Sequence, residues 1–231
     1  LTTLKSLATT VANGRFDVIH AQHSYCMHQL RAVGQWIPRE TKIVFTCHEG
    51  EASAARDLGR GPHDRGLLKK LAYWATLKKV ALSYADAVVF VDDSIARALS
   101  YNGSYEVIPP GVDLQRFTPI DKAEARRNLD LADDRPIVLF PADPAHKPFV
   151  KGYDLFQQSL ELLQRSPQVI VGGGIDHESM PLYMNAADVV VQTSRFEGSP
   201  SVIKEAMACE RPIVSTPVGD VERLIEGLPG H

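Results

Sequence analysis

Glu197 and Glu205 are separated by seven residues in the stretch Phe196-Glu197-Gly198-Ser199-Pro200-Ser201-Val202-Ile203-Lys204-Glu205-Ala206-Met207-Ala208-Cys209. Pro200 suits the first position of a helix and Ser199 the N-cap before it. Glu197 then lies in the turn ahead of the helix, and Glu205 about two turns inside it. The two carboxylates share no single helical face, so they suit hydrogen bonds at two separate points of one extended ligand. Between them lie unpaired backbone N–H groups and the positive end of the helix dipole, which favour an anion. Gly198 lets backbone approach closely. A ligand with hydroxyl groups towards its ends and a phosphate in the middle fits this pattern, and nucleotide-sugars have that shape. The plain alternative is a pair of solvated surface glutamates. The apolar company of Glu205 (Val202, Ile203, Ala206, Met207) argues against it.

The elements that must carry these residues follow from periodicity. In the first half, helices are expected over 4–12, 27–36, 67–84 and 94–99, with strands at 17–20, 42–47, 87–91 and 105–108. Lys69, Lys70, Lys78 and Lys79 read as the wetter side of the long helix over 67–84. A loop rich in glycine, histidine and charge spans 48–66. The rhythm restarts after a connector holding Pro109, Pro110, Gly111 and Pro119, with Phe117 as a packing anchor. Helices are expected over 122–129, 153–164, 180–186 and 201–209, a further one starting at 221–225, and strands at 136–140, 168–171, 188–191 and 213–215. Strands alternating with helices imply parallel sheets covered on both faces. The expected division is an amino-terminal domain over 1–118 and a carboxyl-terminal domain over 119–231.

Bulk properties narrow the function classes. The chain has 231 residues, of which 44% are hydrophobic and 23% charged, and a net charge of −3. That leaves no electrostatic footprint for nucleic acid. The apolar runs have strand length, too short to span a bilayer. Three widely spaced cysteines without a CxxC pair point to a reducing compartment, and a cytoplasmic location is expected.

Several motifs together resemble family 4 (group 1) retaining glycosyltransferases. The E-x7-E signature matches Glu197 and Glu205, preceded by Ala187-Asp188-Val189-Val190-Val191-Gln192-Thr193-Ser194. The connector Val107-Ile108-Pro109-Pro110-Gly111-Val112-Asp113, with Phe117 and Pro119, matches as well. So do Phe16-Asp17-Val18-Ile19-His20-Ala21 and Ala85-Asp86-Ala87-Val88 in the first half. The resemblance implies the α/β fold called GT-B, in which two Rossmann-like domains face each other across a cleft. It implies a nucleotide-diphosphate sugar as donor substrate, with neither cofactor nor metal, and a carbohydrate, lipid-linked or small-molecule acceptor. By the same resemblance, Glu197 contacts the donor sugar and Glu205 the ribose, while Gly198 and Ser199 approach the donor through their backbone. Gly173 and Gly174 border the nucleobase, Lys151 faces the diphosphate, and His48 contacts the sugar from the first domain. The family's phosphate-binding Arg has no counterpart after the strand at 136–140, which leaves Lys147 or His146 as the substitute. Relatives begin with a further strand and glycine-rich loop and end with further elements, so both domains read as truncated. A non-catalytic nucleotide-sugar binding module, or an epimerase of the same fold, is the alternative.

Three other patterns carry less. His20, His23, Cys26 and His28 fit no common zinc spacing. Gly172-Gly173-Gly174 lacks the Gly-x-Gly-x-x-Gly spacing of dinucleotide sites. The lysine-bearing helix over 67–84 suits at most peripheral contact with an anionic membrane, and a solvated lysine face is the simpler expectation.

Overall fold

The computed structural model describes residues 2–48, 65–131, 135–146 and 148–227, with side chains omitted at residues 2, 3, 65–72 and 74. Contacts divide it into two compact units, Leu1–Pro109 and Pro110–His231. The division falls earlier than the expected boundary at 118. Phe117 is the reason, because it is buried in the core of the second unit with Ile137, Leu139, Met184 and Val190.

The first unit carries α1 (Thr2–Asn13), β1 (Val18–Ala21), α2 (Ser24–Ala32), β2 (Lys42–Cys47), α3 (Arg65–Leu82), β3 (Ala87–Phe90), α4 (Asp93–Leu99) and β4 (Glu106–Val107). The four strands pair in parallel in the order β1-β2-β3-β4. Phe45, Phe90, Met27, Ile95 and Leu99 form the core. Residues 34–36, expected as the end of a helix, form a separate 3-10 turn. Lys78, expected on the wet side of α3, is fully buried. Helical spacing places it beside Ala75 and Leu82, which pack on the core. Lys79 is exposed.

The second unit carries α5 (Lys122–Asn128), β5 (Ile137–Phe140), α6 (Pro148–Lys151), α7 (Tyr153–Glu161), β6 (Gln168–Val171), α8 (Met180–Ala186), β7 (Val189–Gln192), α9 (Ser201–Ala208), β8 (Ile213–Ser215) and α10 (Val221–Ile225). Its parallel sheet runs β6-β5-β7-β8. Side chains alternate along a strand. Ile137 and Leu139 therefore enter one core with Met184 and Ala206, while Val138 and Phe140 enter another with Phe156 and Val191. A strand apolar at every position is what a sheet covered on both faces requires. Helix α7 stops at Glu161, short of the expected 164, and leaves Leu162 and Leu163 exposed.

The two units share a local device. Asp86, just before β3, accepts the Ile43 N–H at 2.8 Å. Asp188, just before β7, accepts the Ile137 N–H at 2.7 Å. Each carboxylate pins a neighbouring strand at its entry. Asp188 also receives Arg126 Nη2 at 2.7 Å and Lys122 Nζ at 2.8 Å. Burial alone would raise the Asp188 carboxyl. The bonds from Lys122 and Ile137 and the charge on Arg126 overcome that and hold it below the ordinary carboxylate value. Among the described residues, no helix is long and apolar enough to cross a membrane.

Candidate active site

The order β6-β5-β7-β8 makes the chain leave β5 to one side for β6 and return on the other side for β7. The loops after β5 and β7 diverge there, and open α/β sheets bind ligands in the resulting crevice. A cleft of about 320 Å³ lies at this point. Phe140, Pro141, Ala142 and Asp143 line it from β5, Gln192, Ser194 and Glu197 from β7, and Val202 from the start of α9. Lys151 and His146 complete its polar wall.

Lys151 and Glu197 meet in the cleft. Lys151 Nζ donates to Glu197 Oε1 at 2.7 Å, and Ser194 Oγ donates to the same oxygen at 2.8 Å. Both charged side chains are partly buried, so salt screens the pair less than it would an exposed one. Lys151 lies just ahead of the helix expected over 153–164. Lys151 ends the single turn α6, and Gly152 breaks the chain before α7 with φ +65°. A Cβ at Gly152 would stand 1.8 Å from the Thr193 carbonyl oxygen, so only glycine lets the lysine segment lie against the β7 loop.

That contact is stitched on both sides. Thr193 Oγ1 donates to Gly152 O at 2.7 Å. The Arg195 guanidinium forks onto both oxygens of Asp154, at 2.7 and 2.6 Å, and stacks over the Phe149 ring at 4.6 Å. The Arg195 hydrogen bond holds the Asp154 carboxyl below its usual value. Lys151 and Glu197 are thus held from both flanking segments.

The turn after Glu197 is built differently from the expectation. Pro200, not Ser199, is the N-cap of α9, and no side-chain bond caps the helix. Ser199 Oγ instead donates to the buried Asp220 at 2.7 Å and accepts from Lys204 Nζ at 2.5 Å. A buried carboxylate is the stronger acceptor and takes the hydroxyl. Lys204 also donates to Pro110 O at 2.9 Å. Gly198 is buried, and its carbonyl oxygen would lie 2.1 Å from a Cβ at Gly219, where φ is +57°. Asp220 and Gly219 therefore support the turn from below. Neither stood out as functional in the sequence. Gly219 and Asp220 close the loop between β8 and α10, directly ahead of the helix, and that placement was the available signal.

The remaining expected residues are spread wider. Glu205 is half-buried on α9 and does not line the cleft. Burial raises its carboxyl, and the charge of His177 offsets this in part. Gly173 and Gly174 sit exposed in the turn after β6, and Gly174 has φ +85°. His177 lies in the same loop, its ring 5.5 Å from that of Phe117. His146 lines the cleft, and Lys147 lies outside the described residues. Burial pushes the Cys209 thiol up to about 11, which leaves it un-ionised at neutral pH.

His48 belongs to the first unit, at the carboxyl end of β2. Its Nε2 donates to Gln22 Oε1 at 2.5 Å, and Gln22 Nε2 lies 3.1 Å from His20 Nδ1. His20 Nε2 is 2.7 Å from Thr46 Oγ1. His23 caps α2 by accepting the Tyr25 N–H at 3.1 Å. Among the described residues, no three His, Cys, Asp or Glu side chains stand together as a metal site.

Two family models match the chain: Glycosyltransferase Family 4 over residues 1–116, and Glycosyl transferases group 1 over residues 137–230. The chain is 28% identical to a D-inositol 3-phosphate glycosyltransferase of Geodermatophilus obscurus, over 94% of this chain and 56% of that protein. A protein of the same name from Actinosynnema mirum is 32% identical over 94% of this chain and 60% of its own length. The chain therefore spans less than two thirds of these relatives. Among solved structures, sucrose-phosphate synthase from Thermosynechococcus elongatus superposes with a TM-score of 0.71 at 23% identity, covering 96% of this chain and 61% of that one. The catalytic domain of starch synthase IV from Arabidopsis thaliana gives 0.57 at 15% identity, covering 99% and 62%. Both are likenesses of fold, and they agree with two parallel four-stranded sheets of GT-B type. With its first half matched by one model and its second by another, the chain belongs to glycosyltransferase family 4, group 1.

Proposed function

We propose that the protein carrying this chain transfers a sugar from a nucleotide-diphosphate sugar to an acceptor hydroxyl, with retention at the anomeric carbon and without a metal ion. The observation that carries the reading is the Lys151–Glu197–Ser194 cluster in the switch-point cleft of the second unit. A fixed ammonium in a partly buried cleft suits a diphosphate, and a carboxylate beside it suits sugar hydroxyls. Glu205, raised by burial, gains most from a ligand that donates hydrogen bonds, as a ribose diol does.

In this reading the bond between the anomeric carbon and the diphosphate oxygen breaks, and its electron pair stays on the diphosphate. Lys151 offsets the charge that develops there. The acceptor oxygen bonds to the anomeric carbon, and its proton passes to a leaving phosphate oxygen. Glu197 holds the sugar.

The test is nucleotide release by the intact protein from UDP-, GDP- and ADP-sugars, with and without sugar or alcohol acceptors. Release is expected only with an acceptor, unchanged by EDTA, and with the donor's anomeric configuration kept in the product. Donor binding without acceptor-dependent release supports a binding module instead. Interconversion of the sugar on its nucleotide supports an epimerase.

A further inference from the structure

Gln192 closes β7 and lines the cleft that holds Lys151 and Glu197. It is 4% exposed, and neither its amide nitrogen nor its amide oxygen has a hydrogen-bond partner among the described residues. The three residues before it in the strand are valines, so an apolar side chain would suit the strand at least as well. A buried amide with both ends unpaired destabilises the fold, and the destabilisation is offset when a bound group supplies both partners.

The chemistry of that group is constrained. The amide nitrogen needs an acceptor, and the amide oxygen needs a donor. An ionised diphosphate offers acceptors only and would leave the oxygen unpaired. Lys151, in the same cleft, is the better partner for phosphate. The turn with Gly173 and Gly174 follows β6, which lies on the far side of β5 from β7, so the expected nucleobase side is set apart from Gln192. A group that both donates and accepts, on the non-nucleotide end of the donor, remains.

Resting on the donor reading above, we infer that Gln192 is a specificity-determining residue that reads a hydroxyl or secondary-amide substituent on the transferred sugar. An unpaired polar group in a site discriminates strongly against ligands that lack its partner.

The test uses the intact protein and its Gln192→Leu variant. The donors are UDP-glucose, UDP-N-acetylglucosamine, GDP-mannose and ADP-glucose, and the sugar-free controls are UDP, GDP and ADP. On the best of these donors, Gln192→Leu is expected to lower kcat/KM about 10–100-fold. Affinity for the matching nucleoside diphosphate is expected to change less than about twofold. Tm is expected to hold or to rise by about 2–4 °C, because an unpaired buried amide is removed. Comparing glucose with N-acetylglucosamine on UDP separates a hydroxyl from an amide as the group read. An unchanged kcat/KM on every donor overturns the inference, and so does an equal loss of affinity for the free nucleotide. A fall in Tm also overturns it, because the amide would then be held internally, for example by a buried water. If the unaltered protein turns over none of the four donors, the donor reading falls, and this inference falls with it. Full activity in both proteins removes the Gln192 assignment alone.

Discussion

Lys151→Ala in the intact protein is expected to lower kcat by about 10²–10³-fold, with a smaller change in donor KM. The expectation follows from where charge develops. The diphosphate gains negative charge as the sugar leaves, so a fixed cation contributes more in the transition state than in the bound donor. Among the described residues lining the cleft, Lys151 carries the fixed positive charge, and His146 adds one only when protonated. Lys151 also holds Glu197 Oε1 together with Ser194, so its removal loosens Glu197, the proposed sugar contact, as well. Lys151→Ala combined with Glu197→Gln should therefore cost less than the product of the two single losses, because the pair acts as a unit. Steady-state kinetics on the donor checks this. A loss confined to KM would mean that Lys151 binds ground state and transition state alike.

Asp188→Ala is expected to destabilise the second unit by about 3–5 kcal/mol. The Asp188 carboxylate joins Lys122, Arg126 and the Ile137 N–H, and Arg126 is 4% exposed. Its loss leaves a guanidinium buried beside fewer acceptors and frees the first N–H of β5. β5 supplies one wall of the cleft, so the damage is not confined to the rim of the sheet. The sign of the pH dependence follows from the lowered Asp188 carboxyl. A depressed folded-state pKa contributes stability that is fully present above the unfolded value, about 3.9. That contribution fades as pH falls through the folded value. The stability gap between the two proteins should be flat from neutral pH to about pH 5 and shrink below about pH 4. Urea denaturation at several pH values measures it, and a gap that widens in acid would contradict the assignment.

Much of the positioning was legible in the chain. β5 is apolar at every position, which marks a doubly covered strand. The E-x7-E pattern singles out Glu197 and the resemblance singles out Lys151, and the fold brings these two side chains together. What was not legible depends on partners distant in sequence. Ser199 reads as an N-cap until Asp220 folds beneath it and takes the hydroxyl. Lys78 reads as a solvated lysine because its neighbours Lys69, Lys70 and Lys79 set the pattern, yet Ala75 and Leu82 carry its face into the core. Gln192 falls just past the strand expected over 188–191. Its lack of partners is visible only once β5, β7 and α9 surround it. The switch point itself is a property of strand order, which alternation of helix and strand does not reveal.

In the proposed function the donor's diphosphate binds in the cleft between the β5 and β7 loops. A crystal structure of the intact protein with a nucleoside diphosphate tests it most directly. The diphosphate is expected within hydrogen-bond reach of Lys151 Nζ, with Glu197 facing the terminal phosphate from which the sugar would leave. A diphosphate bound elsewhere, with Lys151 and Glu197 still closed on one another, would contradict it.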